Sequence, residues 1–291
     1  MSIINDFKYA FRKRNNGLIQ IILINMIVFV VVLLINVIFY LTANKGLFHF
    51  IGDNLSIPAN FNEFIYKPWT LITYFFTHFD PFHILFNMLG LYWFGKLIGE
   101  YLGNRHLVAL YILGGLFSGL FFLLLSNSIP AFYSSNSMIG ASGAVYAVVL
   151  GAATLIPDYT FFVFLLGPVK IKYIAAFFIV ITFFEISIGS NLGGNLAHLG
   201  GALFGYIYIS RLKKGNDWSL YFIKFFDWIK KLFKAKPKMK VTYRNQQGPS
   251  STPSTPSEEE IDKILDKITK SGYESLSKDE KQKLFHASQK N

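Results

Sequence analysis

The sequence contains no cysteine in its 291 residues, so disulfide scaffolds, thiolate nucleophiles and cysteine-ligated zinc are excluded. Acidic residues are also scarce, with 17 Asp and Glu against 28 Lys and Arg, which gives a formal net charge of +11. A balance this basic leaves nucleic acid and an anionic membrane surface as candidate partners. Charge alone does not choose between them.

Apolar residues decide the class of protein. They make up 52% of the chain, and the mean hydropathy is +0.38, which favours an integral membrane protein over a soluble domain. The excess positive charge follows the apolar region: Arg211–Arg244 holds 11 Lys and Arg against two Asp. Aromatic residues interleave this run, so we interpret 214–244 as a basic amphipathic segment on the membrane surface and not as a nucleic-acid site.

Six segments are apolar enough to suggest spans, since a spanning helix needs about 20 mostly apolar residues. They are 17–43, 82–102, 105–125, 140–156, 170–188 and 193–213. The first is much longer than the apolar core of a signal peptide, and no convincing cleavage site follows, so we expect it to be retained. The sequence therefore predicts an all-α membrane protein with six transmembrane helices.

Lysine and arginine orient these helices. The N-terminus, residues 1–16, is basic, and the alternate loops on the same side carry Arg105, Lys170 and Lys172, whereas 126–139 and 189–192 carry no Lys or Arg. The positive-inside rule places both termini in the cytoplasm. We expect a multi-pass integral membrane protein.

Three further regions have a distinct character. The aromatic-rich 44–81 segment predicts an interfacial loop beside the bundle. Residues 245–257 form a Pro/Ser linker. Residues 258–291 predict a small cytoplasmic helical pair, because Ser257 with Glu260 and Ser277 with Glu280 have the spacing of capping boxes. This appendage is a candidate site for a cytoplasmic partner.

Strongly polar residues inside predicted spans are candidate functional residues, because they are costly there. Four such residues lie near the starts of predicted spans: His83 and Asn87 in the second, Ser142 in the fourth and His198 in the sixth. These three spans run in the same direction. All four residues therefore fall at a similar depth, towards the external side. A serine needs a base to become a nucleophile, and histidine is the usual base. The pattern predicts a Ser142–His198 dyad.

The neighbouring residues suit acyl transfer. His83 and Asn87 lie one helical turn apart and, with the Ser142 backbone N–H, offer donors for an oxyanion. Gly201 and Gly205 form a stripe of small residues that allows close packing of helices. Glu185 is the nearest candidate for a third triad member, but the dyad is the simpler interpretation. We expect His49, His106 and His286 to be ordinary interfacial or surface residues.

Three motifs, GASG at Ser142, AHLGGALFG at His198 and HFDPFHILFN at His83 and Asn87, resemble those of the rhomboid intramembrane serine proteases. The C-terminal tail is similar to a short helical appendage on some bacterial rhomboid-like proteins, which implies a bacterial plasma (inner) membrane. The resemblance of the three motifs covers about residues 17–213. It implies a six-helix bundle that cleaves membrane-spanning substrates in or near their transmembrane segments, without metal or cofactor. It also implies supporting roles for Gly140, Tyr146, Glu100 and His78. Leu196 departs from the family, where a smaller residue is common.

Other functions remain open at this point. A catalytically inactive rhomboid-like protein that binds membrane clients is the principal alternative, although such proteins usually lack the serine or the histidine. A transporter would predict charged or broken helices at mid-membrane. A metal site at His78, His83 and His198 would leave Ser142 unexplained. If the protein is a protease, movement of 170–188 would admit substrate, and 189–196 would cap the site.

Overall fold

The computed structural model describes residues 11, 13, 16–42, 45–133, 137–164, 166–233 and 257–288. The chain forms two compact units, Met1–Lys234 and Ala235–Asn291. The predicted linker falls outside the described residues except for Ser257, as does almost all of the basic N-terminus. Among the described residues, the first unit contains ten α-helices. In chain order they are α1 (Gly17–Leu41), α2 (Lys45–Leu55), α3 (Phe61–Tyr66), α4 (Thr70–Thr73), α5 (Pro81–Leu102), α6 (Asn104–Ser128), α7 (Ser142–Leu155), α8 (Ile171–Ser187), α9 (Leu192–Lys213) and α10 (Trp218–Phe233).

The six predicted segments correspond to α1, α5, α6, α7, α8 and α9, with ends within three residues of those expected. Of the described helices, α1 and α6 are long and apolar enough to cross a membrane by length and composition. Helix α5 carries Lys96 and Glu100, and α7 and α8 have only 14 and 17 residues. The six-span topology therefore stays a prediction.

The described residues are mostly helical, as predicted, with one short β-hairpin that the sequence analysis did not include. Strands β1 (Thr160–Val163) and β2 (Gly167–Lys170) form an antiparallel hairpin between α7 and α8. The run TFFV is rich in β-branched and aromatic residues, which suit a strand, and Gly167 has a φ of +74° that favours glycine.

The region 44–81 is more than a loop beside the bundle. It contains α2 to α4 and a 3₁₀ turn, Tyr74–Phe76, in which Tyr74 and Phe75 are fully buried. The Tyr74 hydroxyl donates a hydrogen bond of 2.6 Å to the Gly115 carbonyl of α6. An isolated bridge joins Ile57 to Met138, just before α7. The region therefore fixes the chain that leads into α7.

Helices α7 and α9 touch through their backbones. A Cβ atom at Gly201 would overlap the Gly143 carbonyl oxygen, and one at Gly205 would overlap the Ala147 carbonyl oxygen. From the first contact to the second, the residue number rises by four in α7 and by four in α9, so the two helices run parallel. The predicted stripe of small residues thus lies at a direct helix–helix contact.

Polar residues join the start of α6, the end of α9 and the start of α10. Arg105 donates a 2.7 Å hydrogen bond to Asp217, and His106 Nδ1 lies 3.0 Å from the Tyr208 hydroxyl. Asp217 also accepts from the Ser219 backbone N–H, which caps the start of α10. His106 is buried, so the expectation of a surface residue was wrong for it. The side chains of His49 and His286 lie outside the described part.

The second unit contains α11 (Glu258–Ser271) and α12 (Lys278–Ser288). The Ser257 side chain accepts from the Glu260 N–H, and α11 ends at Gly272, which has a φ of +78°. At the start of α12, Ser277 and Glu280 each accept from the backbone N–H of the other. Both predicted positions therefore begin a helix, and the two reciprocal bonds of a capping box form at Ser277 and Glu280.

A glycine substitution tests the contact between α7 and α9. Gly201→Ala should lower the free energy of unfolding by about 1–3 kcal/mol or more, because the new methyl group forces two backbones apart. Gly99→Ala is the matched control, since no atom lies closer than 4.0 Å to a Cβ there. Thermal unfolding in detergent micelles measures both. Equal melting temperatures for the two variants would contradict the close contact.

Acid should loosen the helical pair α11–α12. The Lys267 ammonium donates hydrogen bonds to Glu280 and lowers the pKa of that carboxyl from 4.5 to about 2. The ionised form thus stabilises the folded pair above the ordinary pKa, and this stabilisation is lost as pH falls from about 5 towards 2. Backbone resonances of the intact protein in micelles would follow the change. Lys267→Met should reduce this acid dependence, Lys270→Met should not, and identical behaviour would contradict the assignment.

Candidate active site

Helix α5 begins with residues that fix the position of His83 and Asn87. The Asp80 side chain accepts a 2.6 Å hydrogen bond from the His83 backbone N–H, and Pro81 occupies the first helical position. Both features are typical of a helix start. His83 and Asn87 therefore lie on consecutive turns at one end of α5.

Ser142 is the first residue of α7. The backbone N–H groups of a first helical turn have no acceptor within the helix, so the Ser142 N–H can donate to another group. Gly140, two residues before, has a φ of +117°, and a Cβ there would overlap the His83 ring. Glycine is therefore required for the loop to pass so close to His83.

The His198 ring stacks on Tyr146. The two ring centroids are 4.2 Å apart and the planes are nearly parallel, at 4°. Tyr146 is fixed in turn by α8, since its hydroxyl lies 3.1 Å from Thr182 Oγ1, and Thr182 donates to the Phe178 carbonyl. Tyr146 thus fixes the orientation of the His198 imidazole, and Thr182 fixes Tyr146. The sequence analysis did not identify Thr182.

Ser142 and His198 open into one cavity of about 280 Å³. Its wall combines the predicted site residues with apolar side chains from α5, α7 and α8: His83, Phe86, Asn87, Gly90, Ser142, Val145, Tyr146, Val149, Phe178, Glu185, Asn191 and His198. In the described part of the chain, Ser142 Oγ makes no hydrogen bond, and neither does the buried His198 Nδ1. The two side chains share the cavity without a direct bond.

His78 has a more definite position than its sequence context indicated. It is fully buried, and its Nε2 accepts a 3.2 Å hydrogen bond from the Ala141 N–H and lies 3.1 Å from Asn87 Nδ2. A backbone N–H can only donate, so His78 Nε2 must carry a lone pair and the proton sits on Nδ1. His78 therefore joins α5 to the residue before Ser142.

The remaining predicted residues are placed as follows. Gly201 and Gly205 lie at the contact between α7 and α9. Glu100 lies at the far end of α5, where its side chain is 54% exposed and pairs with Lys96 at 3.8 Å. Glu185 lines the cavity but is not bonded to His198.

A metal site receives no support from the geometry. Within the described ranges, no group of three or more His, Asp or Glu side chains could hold a metal ion. The Nε2 lone pair of His78 already accepts a hydrogen bond from the Ala141 N–H, so that nitrogen is engaged within the protein. The chemistry open to this cavity is that of a hydroxyl, an imidazole and several hydrogen-bond donors, which suits acyl transfer.

Two family models match this chain. A model of the Rhomboid domain matches residues 66–214, and a family of unknown function (DUF6576) matches residues 255–290. RHOMBOID-like protein 12, mitochondrial, of Arabidopsis thaliana is 37% identical over 159 residues, which are 50% of this chain and 47% of that protein. Rhomboid-like protein 16, chloroplastic, of the same plant is 29% identical, covering 56% of each chain.

Animal relatives match a similar region. The human Presenilin-associated rhomboid-like protein, mitochondrial, is 29% identical over 165 residues, or 53% of this chain and 40% of that protein. The chain thus spans about half the length of the curated relatives it matches. All of these are named as organellar proteins of plants or animals, so the predicted bacterial source stays a prediction.

Proposed function

The chain belongs to the rhomboid family, and from this premise we propose that it is an intramembrane serine endopeptidase that acts through a Ser142–His198 dyad. The observation that carries the proposal is the shared cavity, in which the free Ser142 hydroxyl and the Tyr146-stacked His198 ring face the same space. A serine kept only for close packing would not need a cavity beside a positioned imidazole.

In the proposed mechanism, neutral His198 takes the proton of Ser142 Oγ as that oxygen attacks the scissile carbonyl carbon. The substrate carbonyl oxygen becomes an oxyanion, which receives hydrogen bonds from the Ser142 N–H, Asn87 Nδ2 and His83. The oxyanion would also lie at the start of α7, near the positive end of the dipole of that helix. His198 then protonates the leaving amine, and water hydrolyses the acyl-enzyme.

The proposed membrane placement takes account of the length of α7. Helix α7 spans only about 21 Å at about 1.5 Å per residue, less than the hydrocarbon core of about 30 Å. We propose six spanning segments with cytoplasmic termini, in which the non-helical stretch before Ser142 completes the fourth span. Such backbone is tolerated at membrane depth where it lines a cavity. The site would then open towards the external side.

We propose membrane proteins with a transmembrane segment as substrates, and lateral entry beside α8. The outward face of α8 is exposed at Phe177, Val180 and Phe184, whereas its first residue, Ile171, is fully buried. The helix is thus anchored at one end and free along the face that would meet a substrate. Asn191, at the start of α9, lines the cavity, so the loop before α9 is a candidate cap.

A catalytically inactive client-binding protein is the second candidate. The missing Ser142–His198 hydrogen bond favours it, although catalytic hydrogen bonds are often long in the absence of substrate. The geometry of the cavity, however, retains every group that the reaction requires. The following comparison separates the two candidates.

Ser142→Ala should abolish cleavage of a single-span substrate reconstituted in the same vesicles, with a loss on the order of 10³-fold or more. His198→Ala should lose a similar amount, and the double variant should be no worse, because the two residues act as a unit. Ser118→Ala, at another buried serine, is the control and should retain activity. Substrate cleavage by Ser142→Ala at the rate of the unmodified protein would exclude the dyad.

His78 should act by positioning. His78→Leu removes the acceptor for the Ala141 N–H and for Asn87, so kcat should fall by about tenfold or more while KM changes little, because the lost alignment affects the oxyanion and not ground-state binding. His78→Gln keeps an acceptor oxygen and should recover part of the rate. Unchanged kcat in His78→Leu, or equal losses in both variants, would contradict this role.

A further inference from the structure

The β1–β2 hairpin leads from α7 into α8 and presents two different faces. Phe161 and Val163 are partly buried, and the Phe161 ring packs on Phe94 of α5 with centroids 5.3 Å apart. On the opposite face Phe162 pairs across the strands with Pro168. One face therefore packs on the bundle, and the other faces outward.

The outward face and the turn carry large apolar side chains with no protein cover. Phe162 and Phe164 are each 88% exposed, and Leu166 is 74% exposed. Three such side chains together form an apolar tip of a kind that soluble surfaces rarely leave uncovered. We call Phe162, Phe164 and Leu166 the hairpin tip.

The base of the hairpin is charged. Lys170 and Lys172 donate hydrogen bonds of 3.0 and 2.9 Å to Asp158 Oδ1. These bonds lower the pKa of Asp158 to about 2, and the bond from Lys172 has the larger effect. The carboxylate therefore stays ionised at neutral pH. Two ammonium groups against one carboxylate leave the base with a net positive charge, which complements anionic lipid headgroups.

Charges on α5 indicate the depth of the hairpin in the membrane. Lys96 and Glu100 form an exposed pair, and Phe94, the partner of Phe161, lies two residues before Lys96. Exposed ionised groups belong in the headgroup region, so the proposed membrane placement puts Phe94 about 3 Å to the hydrocarbon side of Lys96 along α5. It would thus place the hairpin at the boundary between headgroups and acyl chains.

We propose that the hairpin anchors the protein in the cytoplasmic-side leaflet, with the hairpin tip among the lipid acyl chains and Lys170 and Lys172 at the headgroups. The inference rests on the membrane placement given under the proposed function. The outer strand edges limit the depth, because unpaired backbone groups are costly in hydrocarbon and need water or headgroups. Lys170 precedes the first residue of α8, so the anchor would also hold the cytoplasmic end of that helix.

Because the chain contains no cysteine, single nitroxide labels can test the anchor. The label is attached to Phe164→Cys in vesicles of phosphatidylcholine and phosphatidylglycerol, and its collisions with oxygen and with a water-soluble nickel chelate are measured. Val180→Cys, on the exposed face of α8, is the lipid reference. Lys278→Cys, exposed in the second unit, is the water reference. Circular dichroism spectra and size-exclusion profiles that match those of the unmodified protein would show that each labelled variant is folded.

The proposal expects the Phe164 label to resemble the Val180 label, with high oxygen and low nickel accessibility. If the Phe164 label collides with nickel as often as the Lys278 label while Val180 stays in lipid, the anchor is wrong and the membrane placement survives. If the Val180 label also meets nickel, the membrane placement itself fails. Protection of Phe164 from both reagents, with dipolar broadening that rises with label density, would assign the tip to contact with a second copy and overturn the lipid anchor.

Discussion

The backbone contact between α7 and α9 is the constraint on which the site depends. Gly201 faces the Gly143 carbonyl, and Gly205 faces the Ala147 carbonyl, with no room for a side chain between them. This contact fixes the two helices in parallel and sets their relative height. Ser142 and His198, on the same pair of helices, are thereby brought to one cavity. The candidate nucleophile and the candidate base therefore depend on the packing of glycine and alanine residues that carry no functional group.

Two further contacts complete the site from other helices. Tyr146 stacks on His198 and is itself held by Thr182 of α8. His78 connects Asn87 of α5 with the backbone just before Ser142. Each candidate catalytic group is therefore positioned by a neighbour on another element, as a preorganised site requires. A movement of α8 large enough to admit a substrate would also release Tyr146, which links substrate entry to the orientation of the imidazole.

Much of the helical fold could be predicted from the sequence, because apolar runs and the distribution of lysine and arginine are strong signals. The candidate residues Ser142, His198, His83 and Asn87 were identifiable because polar groups are rare in such runs, and the structure brings them to one cavity. Tertiary features were less accessible. The β1–β2 hairpin is too short for periodicity to distinguish it from a loop, and the burial of His106 depends on Tyr208 and Asp217, about a hundred residues away. The link through His78 arises from a loop conformation that no local pattern indicates.

Covalent labelling of the nucleophile tests the central claim most directly. A fluorophosphonate reacts with a serine only when a base and an oxyanion site activate it, so it needs no knowledge of the substrate. The protein in micelles would be treated with the reagent, and the modified residue would be located by mass spectrometry of peptides. Our account predicts a single adduct on Ser142 that disappears in His198→Ala. Absence of an adduct on Ser142 in the folded, unmodified protein, or an undiminished adduct in His198→Ala, would contradict it.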